Sequence, residues 1–287
     1  MASTISGTIR PATRLRWTLV GLWLPLWDYL FYPVIQWSVV CCTMIYIILV
    51  FRVFNRMTII GREHLASLKD SGDLLASWHE SMCDSFVIGA AIGPSLIWRQ
   101  RVIPWNFAAA ENFWNRWWVR ILVTMLKTFP VKSSANGKRA DGAALRQAIK
   151  LLQTTNVILF PAGTRFKSGQ TEEPVAPAGF GLTVLKAKRV IPIAFVGVGG
   201  RDGLLPYYKT RRDMPRKWYS VFGRYSGWLK FLDWVIGIRY GRRVTMIIGQ
   251  PLEVAALAAQ FEAAPDREQQ IANLVMNLIC QLRRQIL

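Results

Sequence analysis

The chain has 287 residues, enough for one α/β domain with an additional segment and short for two full domains. Its composition combines 52% hydrophobic residues and 13 tryptophans with a formal net charge of +19. Excess Lys and Arg beside abundant aromatic residues is typical of a protein that lies against an anionic bilayer. Basic proteins also bind nucleic acid, but the chain has no zinc-ligand spacing, RNA-binding aromatic signature or helix-turn-helix pattern, so no nucleic-acid partner is expected.

The N-terminal segment, residues 1–56, is predicted to associate with a membrane. An apolar stretch at 17–27 is followed by an uncharged stretch at 30–51, which is long enough to cross the hydrocarbon as one helix. Pro33 is a potential break, so a single span and a hairpin within one leaflet both remain open. Arginines flank the apolar region on both sides, and the positive-inside rule therefore assigns no orientation.

The cysteines predict neither a disulfide framework nor a metal site. Cys41 and Cys42 are adjacent in the apolar stretch, whereas Cys83 and Cys280 are distant singles. All four are interpreted as small hydrophobic residues in a reducing compartment.

Residues 57–287 are predicted to form an α/β domain with a mixed, largely parallel central sheet flanked by helices, because short β-rich runs alternate with helical runs. Residues 143–153 are predicted to be a helix that covers the sheet, with Leu145, Ile149 and Leu152 on one face. The strongest strand predictions are 74–78, 157–160, 190–197 and 244–249.

Residues 207–243 form a basic, aromatic-rich insert. They carry ten Lys or Arg against two Asp, together with ten aromatic residues. This composition favours contact with a membrane surface over a solvated basic loop. The remaining tail, residues 252–287, is rich in Ala, Leu and Gln and is predicted to be helical, with no functional signal.

The chain has two histidines, which narrows the search for a general base that works near neutral pH. His64 has no acidic partner at useful spacing and is interpreted as a surface residue. His79 ends a β-rich run, and Asp84 lies five residues further on. If Asp84 lies in the first turn of a helix, its carboxylate can accept a hydrogen bond from one imidazole nitrogen and leave the other to take a proton. A junction between a strand and a helix also points backbone N–H groups into the site, where they could donate hydrogen bonds to an oxyanion or a phosphate.

Downstream, residues 157–165 read Val-Ile-Leu-Phe-Pro-Ala-Gly-Thr-Arg and end a predicted strand in a tight turn. The turn delivers Arg165, whose guanidinium is suited to bidentate phosphate binding. A further strand contains Ile191, Pro192 and Ile193.

As a set, His79 with Asp84, the Phe-Pro-Ala-Gly-Thr-Arg turn at 160–165 and Ile-Pro-Ile at 191–193 resemble the glycerolipid acyltransferases, whose best-known members are lysophosphatidic acid acyltransferases. The resemblance covers roughly residues 58–253. It implies that His79 is the catalytic base and Asp84 its orienting carboxylate. It also implies substrate-binding positions, which are Gly163, Thr164 and Arg165 on the turn and, by a looser match, Glu111 with Asn112, Phe113 and Arg116, and Lys132. For the segment 111–116 an ordinary amphipathic helix is as good an interpretation.

One position departs from the family pattern. Where the motif has glutamate between Pro161 and Gly163, this chain has Ala162, whose methyl group accepts no hydrogen bond. Glu111, Glu172 and Glu173 are the candidates to replace the missing carboxylate. Three interpretations of Ala162 remain open: the protein uses a different acceptor, it is a weak enzyme, or it is inactive.

The resemblance implies an acyltransferase without a cofactor, which moves a fatty acyl group from acyl-CoA or acyl-acyl carrier protein to a lysophospholipid. The leading acceptor is 1-acylglycerol-3-phosphate, with phosphatidic acid as the product. The protein is expected to lie on a bacterial inner membrane or its equivalent, in contact with anionic lipids, with its active site facing the cytoplasm. Two alternatives stay open. Ser81, Cys83 or Ser85 could be a nucleophile activated by His79, or the chain could bind lipid without turnover.

Overall fold

The computed structural model describes residues 32–68, 71–81, 84–93, 102–109, 117–131, 142–163, 174–199 and 241–287. The apolar stretch predicted at 17–27 and the basic insert at 207–243, apart from its last three residues, lie outside the described residues.

The first described element is the apolar helix α1 (Tyr32–Ile48), which continues as a π-helical turn over Leu49–Phe54. Pro33 lies in the first turn of α1, where its missing N–H breaks no helical hydrogen bond. The stretch from Val34 to Phe54 is long and apolar enough to cross a membrane. One side of it is buried against the domain, through Val40, Met44, Ile47, Val50 and Phe51.

The other described residues alternate strands and helices as far as residue 196, as predicted, and then form further strands followed by two helices. In chain order, the elements are β1 (Thr58–Ile60), α2 (Arg62–Ala66), β2 (Asp73–Ser77), α3 (Asp84–Ile92), β3 (Asn106–Ala109), α4 (Trp117–Met125), β4 (Thr128–Val131), α5 (Gly142–Leu152), β5 (Val157–Leu159), α6 (Ala178–Val184), β6 (Arg189–Val196), β7 (Thr245–Ile248), β8 (Leu252–Glu253), α7 (Val254–Gln260) and α8 (Arg267–Arg284).

The main sheet has the strand order β1-β7-β6-β2-β5, with β8 also paired to β6. β2 runs parallel to both β5 and β6, and β1 runs parallel to β7, whereas β6 is antiparallel to β7 and β8. A second, two-stranded parallel sheet of β3 and β4 is connected to β5 by a parallel bridge between Trp105 and Val157. The predicted mixed, largely parallel sheet is confirmed.

The central strands are apolar on both faces, which is why they lie in the middle of the sheet. All five residues of β2 are buried, and so are seven of the eight in β6. The charged residues that begin these strands are register partners: Arg189 makes a two-point ion pair with Asp73, at 2.8 and 2.7 Å. This pair satisfies both buried charges at the edge of the sheet where the two strands start.

Helices flank the sheet. α8 packs against β6, β2, β7 and α6, and α6 in turn contacts α5, whereas α1 packs against α3 and α4. The predicted helix at 143–153 is present as α5, and Leu145, Ile149 and Leu152 lie on its inward face together with Ala148. Ala148 and Leu152 are fully buried, Leu145 and Ile149 are half-buried, and α5 packs on α6 and on β5.

Candidate active site

Three turns of the chain meet at one edge of the sheet. β2, β5 and β6 are parallel neighbours, so their carboxyl ends lie at the same edge. β2 leads into the turn that holds His79, β5 leads into the turn at 160–163, and β6 leads into residues 197–199. The carboxyl ends of parallel strands are the usual position of ligand sites in α/β sheets.

His79 and Asp84 are in direct contact. Nδ1 of His79 lies 2.7 Å from Oδ2 of Asp84, which is the first residue of α3. Because an ionised carboxylate only accepts hydrogen bonds, Nδ1 carries the hydrogen and Nε2 is left as an acceptor. The contact predicted from the five-residue spacing is therefore present, with His79 in the turn and Asp84 at the start of the helix.

The Asp84 carboxylate is fully buried and closes the turn on itself. It accepts hydrogen bonds from the backbone N–H of Glu80 at 2.7 Å, from that of Ser81 at 3.0 Å and from the Ser81 hydroxyl at 2.7 Å. Four donors thus hold one carboxylate, which fixes the orientation of the histidine. The expectation that the N–H groups of this junction point into an open site is wrong for Glu80 and Ser81, because both point at Asp84.

The turn after β5 packs against the ring of His79. The ring of Phe160 is stacked on the His79 imidazole, with centroids 4.2 Å apart and an interplanar angle of 21°. Gly163 has a φ of 65° and donates its N–H to Phe160 O at 2.9 Å, so the backbone turns back on itself immediately after the strand. Two motifs that are some 80 residues apart in the sequence therefore form a single surface around His79.

Residues 56–196 match the family described as Acyltransferase. This stretch of the chain is an acyltransferase domain. The crystal structure of the 1-acyl-sn-glycerophosphate (LPA) acyltransferase PlsC from Thermotoga maritima is similar, with a TM-score of 0.53, 16% sequence identity and coverage of 92% of this chain and 88% of that chain. At that identity, the similarity concerns the fold. No curated protein matches the chain. The resemblance to glycerolipid acyltransferases is confirmed at the level of family and fold.

Within this acyltransferase, Glu80 is a site residue that the sequence did not single out. Its side chain is buried, and Oε2 accepts hydrogen bonds from the backbone N–H of Val198 at 3.3 Å and of Gly199 at 3.2 Å. Burial raises the pKa of Glu80 from 4.5 to about 7, against the opposing effect of the backbone hydrogen bonds and of Arg283. Its only sequence signal was a carboxylate directly after the candidate base.

The C-terminal helix of the acyltransferase also contacts this turn. Arg283, near the end of α8, places Nη2 3.6 Å from Oε1 of Glu80 and its Cζ 4.6 Å from the ring centroid of Trp78. The tail was predicted to be helical, and α7 and α8 confirm that prediction. No functional signal was predicted for the tail, and the contact of Arg283 with the histidine turn could not be predicted, because a helical pattern does not indicate which strand end a helix will reach.

His64 is half-buried and not simply a surface residue. Its Nδ1 lies 2.9 Å from the carbonyl oxygen of Ile248, to which it donates a hydrogen bond. The bond ties α2 to the end of β7. His64 therefore has a structural partner and leaves His79 as the histidine of the candidate site.

Several predicted site residues lie outside the described residues, namely Glu111, Arg116, Lys132, Thr164 and Arg165, and the same holds for Glu172, Glu173 and Cys83. The strands that precede the looser matches can be compared, however. β3 and β4 are parallel, and their last residues, Ala109 and Val131, are register partners. β3 and β4 therefore end side by side.

Among the described residues, Ser81 is a poor candidate for the nucleophile. Its hydroxyl donates to Asp84 Oδ1 at 2.7 Å, so the proton that a general base would remove is held by the carboxylate instead of the imidazole. The described residues contain no group of three or more His, Cys, Asp or Glu side chains able to hold a metal ion.

Proposed function

We propose that this acyltransferase moves a fatty acyl group from an acyl thioester, acyl-CoA or acyl-acyl carrier protein, to a hydroxyl group of a lysophospholipid. 1-Acylglycerol-3-phosphate is the leading acceptor, with phosphatidic acid as product. The observation that carries the proposal is the hydrogen bond between His79 Nδ1 and Asp84, which leaves Nε2 available as a base beside the turn at 160–163.

In this mechanism, Nε2 of His79 takes the proton of the acceptor hydroxyl while that oxygen attacks the thioester carbonyl carbon. The new C–O bond forms, the C–S bond breaks, and the departing thiolate takes the proton back from the imidazolium. Asp84 stabilises the imidazolium without becoming protonated itself. No covalent acyl-enzyme is required, and the position of the Ser81 hydroxyl supports this direct route.

Acceptor binding is assigned to Gly163, Thr164 and Arg165, with Arg165 as the group that binds the phosphate. Glu111, Arg116 and Lys132 are proposed to complete the acceptor site. The described geometry supports the assignment in one respect. The bridge between Trp105 and Val157 makes β3 parallel to β5, so β3, β4 and β5 all end at the carboxyl edge of the sheet.

The protein is proposed to work on a membrane, with its site open to the cytoplasm where acyl thioesters are made. α1 and the π-helical turn that continues it leave large apolar side chains exposed, including Val34, Ile45 and Val53. The neighbouring helix α4, which is joined to α1 by a hydrogen bond from Gln36 to Met125 O at 3.2 Å, adds exposed Trp117 and Ile121. The net charge of +19 favours anionic lipids next to this apolar surface.

A second candidate function is lipid or anion binding without turnover. It rests on Ala162, which stands half-buried in the turn where the family motif has a carboxylate. A methyl group leaves His79, Asp84 and Phe160 in place but offers nothing to position an acceptor hydroxyl.

An acyl-transfer assay with lysophosphatidate and other lyso-acceptors separates these functions. We expect the wild type to be active, and His79→Ala and Asp84→Asn to lower kcat about 10³-fold or more, because either change removes the oriented base. His64→Ala is the matched control, since it removes the other histidine and should leave kcat within about 3-fold. Turnover that persists in His79→Ala would refute the mechanism. An inactive wild type that becomes active as Ala162→Glu would point to a site disabled by Ala162, and retained binding of lysophosphatidate by that inactive wild type would support the second function.

A further inference from the structure

Glu80 occupies a position that the proposed chemistry does not use. It directly follows His79, yet its carboxylate points to the loop after β6, where Oε2 accepts from two successive N–H groups, those of Val198 and Gly199. Its backbone N–H, in contrast, points to Asp84. Residue 80 therefore ties the histidine turn to its own helix through the backbone and to a different strand end through the side chain.

The loop after β6 lies so close that it requires glycine. A Cβ atom at Gly199 would lie 2.6 Å from the carbonyl oxygen of Glu80 and 3.1 Å from its Cβ, both nearer than ordinary contacts. Directly after β2, Trp78 N donates to Ile193 O of β6 at 2.9 Å. Glu80 adds a connection between the two strand ends beyond that bond.

A third element holds the same turn from the other side. Arg283 of α8 approaches Oε1 of Glu80 and lies over the ring of Trp78, which is the residue before His79. The turn at 78–81 is thus held by α3 through Asp84, by the end of β6 through Glu80 and by α8 through Arg283.

We propose that Glu80 is a positioning residue, whose buried side chain holds the His79 imidazole in line for proton transfer by bonding the turn at 78–81 to the loop after β6. The inference rests on the proposed function in one respect, namely that His79 is the base. Since burial brings the pKa of Glu80 to about 7, its reach and hydrogen bonds carry the role, not a permanent charge.

Two substitutions separate the effect of the length of the Glu80 side chain from the effect of its carboxyl group. Glu80→Gln keeps the length and an acceptor oxygen but loses the ionisable carboxyl group, whereas Glu80→Asp keeps that group but is one methylene too short to reach Val198 N and Gly199 N. We expect Glu80→Gln to retain most of the wild-type kcat. Glu80→Asp should lose about 10²-fold in kcat with little change in KM, because a small displacement of the base slows the chemical step more than it weakens binding. Glu262→Ala, at an exposed carboxylate, is the control for loss of an acidic residue and should leave kcat unchanged.

A second measurement does not depend on turnover. The chain has two histidines, so ¹⁵N-histidine labelling gives two sets of ring signals, and the set that disappears in His79→Ala belongs to His79. We expect the Nδ1 signal of His79 to shift in Glu80→Asp, as its hydrogen bond to Asp84 is disturbed, and to keep its wild-type position in Glu80→Gln. Thermal unfolding of each variant checks that the variant is folded at the temperature of the kinetic and NMR measurements.

The outcomes distinguish this inference from the function on which it rests. Unchanged kcat and His79 signals in a folded Glu80→Asp variant overturn the positioning role. Equal loss of kcat in both variants with undisturbed His79 signals also overturns it, because Glu80 would then act directly on the substrate. If the wild type shows no transfer at all, the proposed function fails, but the ring signals still decide whether Glu80 positions His79.

Discussion

At the scale of single residues, Asp84 shows how a buried carboxylate can be held beside a histidine. An uncompensated charge with no exposed surface would be strongly destabilising, and here four donors compensate it. Glu80, one residue from His79, is the opposite case. Its few partners do not offset desolvation, and its pKa rises to about 7.

This rise makes the stability of the protein depend on pH. Between pH 4.5 and about 7, the folded protein keeps a proton on Glu80 that the unfolded chain has lost. The folded state binds more protons, so the free energy of unfolding decreases as the pH rises through this window, by about 3 kcal/mol in total. Below pH 4.5 the contribution of Glu80 to the free energy of unfolding is fully present, and above about pH 7 it is lost.

We expect Glu80→Gln to remove this dependence, because the amide does not titrate. The charged groups near Glu80, which are Asp84 and Arg283, are the same in both proteins, as is the adjacent His79, so the difference between the two isolates Glu80. Chemical denaturation at pH 4.5, 6 and 8 should show the variant gaining on the wild type by about 3 kcal/mol across the series. A difference that is constant with pH would contradict the prediction.

At the scale of elements, the site depends on how closely α6 approaches α8. A Cβ atom at Gly181 of α6 would overlap the carbonyl oxygen of Glu268, near the start of α8, and backbone cannot move aside as a side chain can. α8 in turn packs on β6 and carries Arg283 to the histidine turn. The packing of α6 therefore affects the position of the helix that reaches the site.

A matched pair of substitutions tests this packing. We expect Gly181→Ala to lower the free energy of unfolding by about 1–3 kcal/mol, as an overpacked core does. Gly179→Ala on the same helix meets only the end of the Leu145 side chain, which can rotate, so it should be neutral or stabilising by up to about 1 kcal/mol. Urea unfolding measures both, and equal effects at the two positions would refute the argument.

At the scale of the whole molecule, an apolar helix is joined directly to the candidate site. α1 packs on α3, the helix that begins with Asp84, and the contact is close because Gly89 faces the tip of Ile47, where an added Cβ would lie 3.2 Å away. We expect that insertion of the exposed face of α1 into a bilayer would hold the candidate site near the lipid headgroups, where the proposed lysophospholipid acceptor would lie.

We expect Ile45→Asp to weaken vesicle binding about 10²-fold, because Ile45 is exposed near the middle of the apolar helix, where a buried charge is costly. The measurement is flotation with vesicles that contain an anionic phospholipid. Ala255→Asp, at an exposed position on α7, is the control and should bind like the wild type. Undiminished flotation of Ile45→Asp would mean that this face of α1 does not enter the membrane.

The sequence predicted those features that depend on residues close to one another in the chain. Apolar runs predicted the central strands, because strands buried on both faces leave an uninterrupted hydrophobic signal. The spacing of His79 and Asp84 predicted their contact, because a turn followed by a helix start permits few arrangements of five residues. The family motifs predicted that the turn at 160–163 belongs to the same site.

The tertiary structure decided which distant groups share that site. The stacking of Phe160 on His79 and the bonds from Glu80 to the loop after β6 connect segments 80 or more residues apart, and the approach of Arg283 connects segments some 200 apart. No local pattern encodes such contacts, because they follow from the order of strands in the sheet and from the packing of α8 across it. The sequence alone determined the family, the fold class and the pair His79 and Asp84; the sheet determined what surrounds them.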